Sequence, residues 1–436
     1  MGEITIRLRE WQSLPPDPDS PTYGRFLPQD PVTRSLTDGL SREGVLDIQE
    51  LRGGLHLKAS SFVGFLRIGC LRIVVEPKIQ GMQLMTLLRY AYGLRDLRLL
   101  TRVAPSIGED SFLDLLIQQL LAECQELIAR GLHRRYEPVA ARLASPRGRL
   151  DLQTLARNGI VSAALPCRYY PRVEDCLHNR VLLAGVRLAA GIAGDRDLRS
   201  ELRRTAPILE NDVSRISVNL ATIERLRRQM NRLTVAYEPA ISIIEILLNS
   251  LGVSLQGEPQ EPRLPGFLFD MNRFFQRLLG RFLRENLPDD YPVQEETAIK
   301  GMMAYSPEHN PRDCRAPAPR PDYCVKTKDG KDILLDAKYR DLWSEDLPPE
   351  MLYQLAIYAL SQKPPGRATI LYPTMNSAAR DAVVRIYEPS SRNPLAEVVQ
   401  RPVNLGDLAK LLPPRHGVYE ARQRQEFALK LVMNPS

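Results

Sequence analysis

The chain lacks any Cys-x-x-Cys pair. Its six cysteines, at 70, 124, 167, 176, 314 and 324, are scattered along 436 residues, and its five histidines show no metal-finger spacing. Zinc is therefore not expected, and reduced cytoplasmic thiols are a better reading than disulfides. Also missing is an apolar run of the roughly 18 residues a membrane span needs. The best stretch, Val181 to Gly194, is broken by Arg187, so no membrane association is expected. The first residues alternate Ile4, Ile6 and Leu8 with polar neighbours and lack a signal-peptide core, which argues against secretion. A phosphate-cradling glycine loop is absent too: the only Gly-Lys pair, Gly330-Lys331, is followed by Asp332. Any dependence on a nucleoside triphosphate must then come from another polypeptide.

What is present is ordinary folded-protein composition, 44% hydrophobic and 25% charged, with 59 basic residues against 52 acidic ones. The excess of +7 permits a nucleic-acid partner without demanding one. From Gly2 to about Ile79 the pattern has period two, punctuated at Gly53-Gly54 and Gly69, as in short strands of a small barrel or sheet. Helical spacing follows over Met82–Tyr92 and, more strongly, over Ser111–Arg130, where Asp110 or Ser111 can cap the start and Gly131 the end. It continues through Cys176–Ala193, Asp197–Arg204 and Asp212–Leu233. Between Leu127 and Tyr237 lie twenty arginines, no lysine and ten acids, a local excess of +10. Such a run reads as a solvated helix face or as a surface for a DNA backbone or an acidic partner. The polar stretch Gln256–Pro262 reads as a linker. The expected class is α+β multidomain: a β-rich N-terminal domain over 1–105, an arginine-rich helical region over 106–255, and a C-terminal α/β domain over 263–436.

The last part reads as α-β-β-β-α-β: a helix over Phe267–Leu287, strands over Tyr291–Glu296, Pro321–Lys326 and Asp332–Tyr339, a helix over Glu350–Ser361 and a strand over Ala368–Tyr372. Inside its hairpin lie Pro321-Asp322 and Asp336-Ala337-Lys338. A two-residue turn at Asp329-Gly330 sets Asp322 opposite Ala337, whereas a one-residue bulge sets it opposite Asp336. Either register lets Asp322 and Asp336 share an ion. Strand alternation puts Asp336 and Lys338 on one face and leaves the Ala337 carbonyl as a further ligand. Three hard oxygens suit magnesium, with manganese as a substitute, and the Lys338 ammonium can orient a water or stabilise developing negative charge. The chemistry this supports is phosphodiester hydrolysis. Glu76-Pro77-Lys78 and Asp329-Gly330-Lys331 match the same short pattern but lack the partner acid or the strand. Gln354 and Tyr358, four apart on the following helix, share a face and can hold a phosphate or brace the lysine strand. His178, His309 and His416 read as lone core or surface groups, Trp343 as packing or as an aromatic that touches DNA, and Tyr90 and Tyr92 as helix packing.

These residues resemble the PD-(D/E)xK nuclease superfamily and, more closely, the McrC family, the nuclease subunits of McrBC-type modification-dependent restriction systems. Phe267–Phe275 resembles the family's opening helix, Arg320-Pro-Asp322 with Leu335–Tyr339 its catalytic hairpin, and Tyr353–Tyr358 the helix after it. Val75–Ile79, Gly148-Arg-Leu150 and Asn179-Arg180 are similar to less specific landmarks. The resemblance implies that Asp322, Asp336 and Lys338 are catalytic in cutting DNA. It implies docking of the N-terminal domain and stalk on a McrB-like AAA+ hexamer that binds GTP or ATP, and it leaves room for dimerisation through the nuclease domain. Superfamily members often carry a glutamate on the opening helix, where this chain has Gln276. The remaining readings are a non-catalytic adaptor that activates an AAA+ partner and a nuclease that acts alone.

Overall fold

The computed structural model describes residues 3–79, 81–94, 111–158, 164–253, 264–363, 365–412 and 418–433. Asp110, the Gln256–Pro262 stretch and His416 lie outside them. The chain divides into two compact units, one of Met1–Asp96 with Gly252–Ser436, the other of Leu97–Leu251. The N- and C-terminal stretches, expected as separate domains, thus share one unit. The reason is a strand pairing: Leu264–Asp270 runs antiparallel to Phe62–Ile68 within a five-stranded sheet that also holds Leu71–Glu76 and Ile4–Arg9.

Part of the period-two reading holds, since five strands of three residues or more fall between Ile4 and Glu76. A helix over Pro31–Arg42 interrupts them. Its start was written locally, with Pro31 in the first turn and the Asp30 carboxylate accepting the Val32 and Thr33 N–H groups. The helix packs on Leu46–Leu51 and closes a core of Ile6, Leu8, Leu40, Leu55, Leu57 and Leu66.

The expected helix over Phe267–Leu287 is instead two elements. Phe267, Leu268 and Phe269 end a strand; Asp270 accepts the Asn272 and Arg273 N–H groups, and the helix runs Met271–Asn286. Phe274, Phe275, Leu278, Phe282 and Leu283 make its buried stripe. Next comes a six-stranded sheet in the order Val293–Glu295, Tyr323–Lys326, Asp332–Ala337, Gly366–Thr374, Pro394–Asn404, Ala382–Tyr387. The Asp332–Ala337 and Gly366–Thr374 strands are parallel, so the chain needs a crossover, and the helix Pro349–Leu360 supplies it. Leu355, Tyr358 and Ala359 of that helix pack against Leu334, Ala368, Ile370 and Val398 of the sheet.

The second unit is mostly helical, with helices Ser111–Arg130, Leu177–Ile192, Arg196–Glu210, Leu220–Arg228 and Glu238–Ser250. The third runs past the expected end at Arg204 because its apolar stripe, Leu202, Ala206 and Leu209, continues. The fourth is shorter than expected: the Asp175 carboxylate takes both the N–H and the hydroxyl of Ser214, and the helix starts only at its Asn219 cap. Small two- and three-stranded sheets between Arg135 and Val173 were not foreseen. Many arginines of the +10 stretch meet carboxylates within the unit: Arg134 with Glu174, Arg168 with Asp151, Arg180 with Asp175, Arg187 and Arg215 with Glu210, and Arg227 with Glu238 and Glu245. Asn179 is fully buried and bonds the His133 and Glu174 carbonyls and the Tyr237 hydroxyl, so that landmark braces the unit. His178 packs edge-on against His133 and Tyr237, as a core histidine. No described helix is long and apolar enough to cross a membrane.

Candidate active site

The hairpin that carries both aspartates turns through a three-residue loop. Thr327 N–H donates to the Lys331 carbonyl, Gly330 N–H to the Thr327 carbonyl, and Gly330 takes φ +70°, the left-handed position such a loop needs. The ladder pairs Lys326 with Asp332 and Tyr323 with Leu335. Continued one step, it sets Asp322 across from Asp336, the second of the two registers open to the sequence. Asp322 itself lies just past the ladder, where its Oδ2 accepts the Ala337 N–H at 2.7 Å. A side-chain carboxylate thus takes the place of a main-chain acceptor for the Ala337 N–H, and Pro321, which has no N–H, cannot continue the ladder as a donor.

Both acids face the same side, and Lys338 Nζ lies 3.1 Å from Asp336 Oδ2. Asp336 is 2% exposed, and its Oδ1 is buried without a hydrogen-bond partner. Burial, then the nearby Asp322 charge, pushes its carboxyl up to about 6, against the pull of Lys338. Burial also raises Asp322, opposed by the Ala337 N–H, Lys338 and Gln276. Two carboxylates that each resist ionisation so close to an amine form a site with unbalanced negative charge. Among the described residues no group of three or more His, Cys, Asp or Glu side chains gathers as a metal site, so the protein ligands on offer are these two carboxylates with main-chain oxygen.

The Met271–Asn286 helix reaches the site through Gln276, whose Nε2 donates to both Asp322 oxygens at 3.0 Å. Gly280 lets the helix sit close: a Cβ there would meet Glu295 Oε1 at 2.4 Å and the Tyr323 ring at 3.1 Å. The Tyr323 hydroxyl in turn donates to the Gln276 carbonyl at 2.5 Å. Asn272 fixes the other side. Its Oδ1 accepts the Tyr339 N–H next to Lys338 at 3.1 Å, and its Nδ2 donates to Ser61 Oγ at 2.6 Å. The Tyr339 hydroxyl reaches Glu10 Oε1 at 3.3 Å, and that buried carboxyl is pushed up to about 7 by desolvation. Sequence reading missed Asn272 and Glu10, because their partners lie far away along the chain; only the polar Asn272 at the start of an apolar-faced helix hinted at a buried bond.

Gln354 and Tyr358 meet each other, Nε2 to hydroxyl at 2.6 Å, and the Tyr358 hydroxyl donates to the Arg320 carbonyl at 2.8 Å. Both Asp336 and Asp322 raise the Tyr358 hydroxyl, secondary to burial, to about 12. The pair therefore braces the Arg320-Pro321-Asp322 approach rather than the lysine strand. Tyr358→Phe removes that brace and leaves a carbonyl unpaired. Expected are a loss of about 1–2 kcal/mol in stability and a fall of about tenfold in any Asp336-dependent cleavage. Thermal melts and single-turnover cleavage check both; an unchanged rate would remove Tyr358 from the site. Of the other candidates, His309 contacts Ser306 and Trp343 is 45% exposed rather than packed. Tyr90 packs edge-on against Phe282 as expected. In Glu76-Pro77-Lys78 the Lys78 N–H donates to Glu10 Oε1.

Residues 57–373 match the family described as McrBC 5-methylcytosine restriction system component, a span that includes Asp322, Asp336 and Lys338. The chain belongs to this McrBC family. No curated protein matches it. Among solved structures, it is similar to a chain of the refined half-complex from a tetradecameric assembly of Thermococcus gammatolerans McrB AAA+ hexamers with bound McrC. That likeness has 18% identity, a TM-score of 0.63, and coverage of 98% of this chain and 100% of the other. A chain of the cryo-EM structure of the T. gammatolerans McrBC complex matches at 20% identity over 65% of this chain and 88% of the other, with a TM-score of 0.46. At such identities the first of these speaks for the fold alone. In this McrBC-family protein the family match ends at Pro373, inside the strand that pairs with Asp332–Ala337.

Proposed function

We propose that this chain is the McrC-type nuclease subunit of a restriction complex, a magnesium-dependent DNA endonuclease of PD-(D/E)xK type that works with, and stimulates, a McrB-like AAA+ GTPase or ATPase. The observation that carries the reading is Asp336: a carboxylate buried with one oxygen unpartnered, facing Asp322, with Lys338 on its other oxygen. Such a group is costly to keep unless a cation completes it. The order of elements from the Met271–Asn286 helix to the Gly366–Thr374 strand, α-β-β-β-α-β, supports the superfamily reading.

Asp322, Asp336 and the Ala337 carbonyl would hold the ion, which when bound supplies positive charge beside the phosphodiester and makes water more acidic. The rest falls to the chain's own groups. The Lys338 ammonium, held by Asp336, orients the attacking water or stabilises charge that develops on phosphate oxygens. Gln276 and the Ala337 N–H hold the Asp322 carboxylate in place, and the Tyr358 hydroxyl fixes the Arg320 carbonyl two residues before it. DNA is then the substrate, and the bound nucleotide belongs to the partner.

The test incubates the wild-type chain or Asp336→Ala with a McrB-like AAA+ protein, nucleotide, methylated DNA and magnesium. Wild type should cleave and Asp336→Ala should lose at least about 10³-fold, while stimulation of the partner's NTPase persists in both. Equal cleavage ends the nuclease reading and leaves an adaptor; cleavage by the wild type without partner or nucleotide makes it a stand-alone enzyme.

A further inference from the structure

We infer that the site holds a single divalent ion, because Gln276 stands where a carboxylate would be needed to hold a second. The inference rests on the nuclease reading above and deepens it. Each carboxylate oxygen offers two lone pairs. Asp322 Oδ2 already accepts from both the Ala337 N–H and Gln276, and Asp322 Oδ1 accepts from Gln276. Asp336 Oδ2 is engaged by Lys338, and Asp336 Oδ1 accepts nothing. What remains free is concentrated on Asp336 Oδ1, with one direction each on Asp336 Oδ2 and Asp322 Oδ1. That is enough protein oxygen for one hard cation that fills its shell with water and phosphate.

A paired-ion site sets two cations about 3.5–4 Å apart and needs a carboxylate shared between them together with further acids on the outer side. On the helix side of Asp322, where such an acid would stand, Gln276 presents N–H. A donor there supplies no oxygen to a cation, and with the Ala337 N–H it leaves Asp322 one free direction, on Oδ1, for the first ion. Among the described residues no third His, Cys, Asp or Glu joins the two aspartates as a metal-holding group, and Glu296 acts on Asp322 only through its charge. Gln276 is therefore a positioning residue that fixes the ion count of the site.

Manganese stoichiometry tests this without any turnover. Free Mn²⁺ is measured by electron paramagnetic resonance during titration of the purified full-length chain, with Asp336→Asn subtracted as the background of adventitious sites. One Asp336-dependent ion in the wild type is expected. Two such ions overturn the inference but leave the metal site standing, whereas none at all brings down the nuclease reading itself. Gln276→Glu is expected to take up a second Asp336-dependent ion, and Gln276→Ala to stay at one, because the alanine removes the donor without adding a ligand. If Gln276→Glu stays at one ion while its melting profile matches the wild type, Gln276 does not set the count.

Discussion

Asp336→Asn should yield a protein that cuts no DNA and yet melts at a higher temperature than the wild type. The sign follows from the folded-state carboxyl. Burial and the Asp322 charge raise it to about 6 from 3.8, so the folded chain binds that proton more tightly than the unfolded chain does. Its contribution is fully present below about pH 4 and is lost as pH rises through about 6. At pH 7.5 without divalent ions the wild type therefore carries an ionised, half-satisfied carboxylate at a cost on the order of 2–3 kcal/mol. Asparagine removes the charge and keeps the shape, and the melting temperature should rise by roughly 5 °C. Magnesium should close the gap by stabilising the wild type and not the variant. Melts at pH 5 and 7.5, with magnesium and with EDTA, check every part. An Asp336→Asn protein that is less stable than the wild type at pH 7.5 in EDTA would show that the aspartate is satisfied within the fold, and the case for a cation would lose its main support.

The juxtaposition of Asp322, Asp336 and Lys338 was legible because it is local. Asp336 and Lys338 are two apart on a strand, so alternation alone puts them on one face, and Asp322 is tied to them by a hairpin only fourteen residues long. The register was legible only as a pair of alternatives, because Asp329-Gly330 fits a two-residue turn as well as the three-residue loop that Thr327 closes through its own hydroxyl and main chain. The supporting bonds were out of reach. Gln276 to Asp322 spans 46 residues and Asn272 to Ser61 spans 211, and nothing in the pattern of either segment names its partner. The largest misreading has a plain cause. Phe267-Leu-Phe is a short apolar run next to a helix with a strong apolar stripe, and periodicity cannot separate a buried strand from one more helical turn. Asp270, a capping residue placed before that stripe, was the available sign that the helix begins later.

That strand makes the N-terminal sheet part of the support of the candidate site, and Gly64→Ala is expected to show it. Gly64 faces Leu268 in the pairing of Phe62–Ile68 with Leu264–Asp270, and its φ of +129° lies where L side chains are strained. A Cβ there would stand 2.0 Å from the Phe267 carbonyl oxygen, a backbone atom that cannot move aside without opening the ladder. Strain and overlap together should cost about 3–5 kcal/mol in urea unfolding. Gly301 separates the two effects: it also has positive φ, +81°, but nothing within 4 Å of its Cβ position, so Gly301→Ala should cost only about 1–2 kcal/mol. The damage at Gly64 should also travel. Ser61, three residues before it, holds the Met271 N–H with its carbonyl and Asn272 with its hydroxyl, and these begin the helix that carries Gln276 to Asp322. Manganese affinity at Asp336 should therefore fall in Gly64→Ala and hold in Gly301→Ala, even at temperatures where both remain folded. A Gly64→Ala protein as stable as the wild type would mean that the two strands do not form one sheet, and residues 263–436 should then fold and bind metal when expressed by themselves.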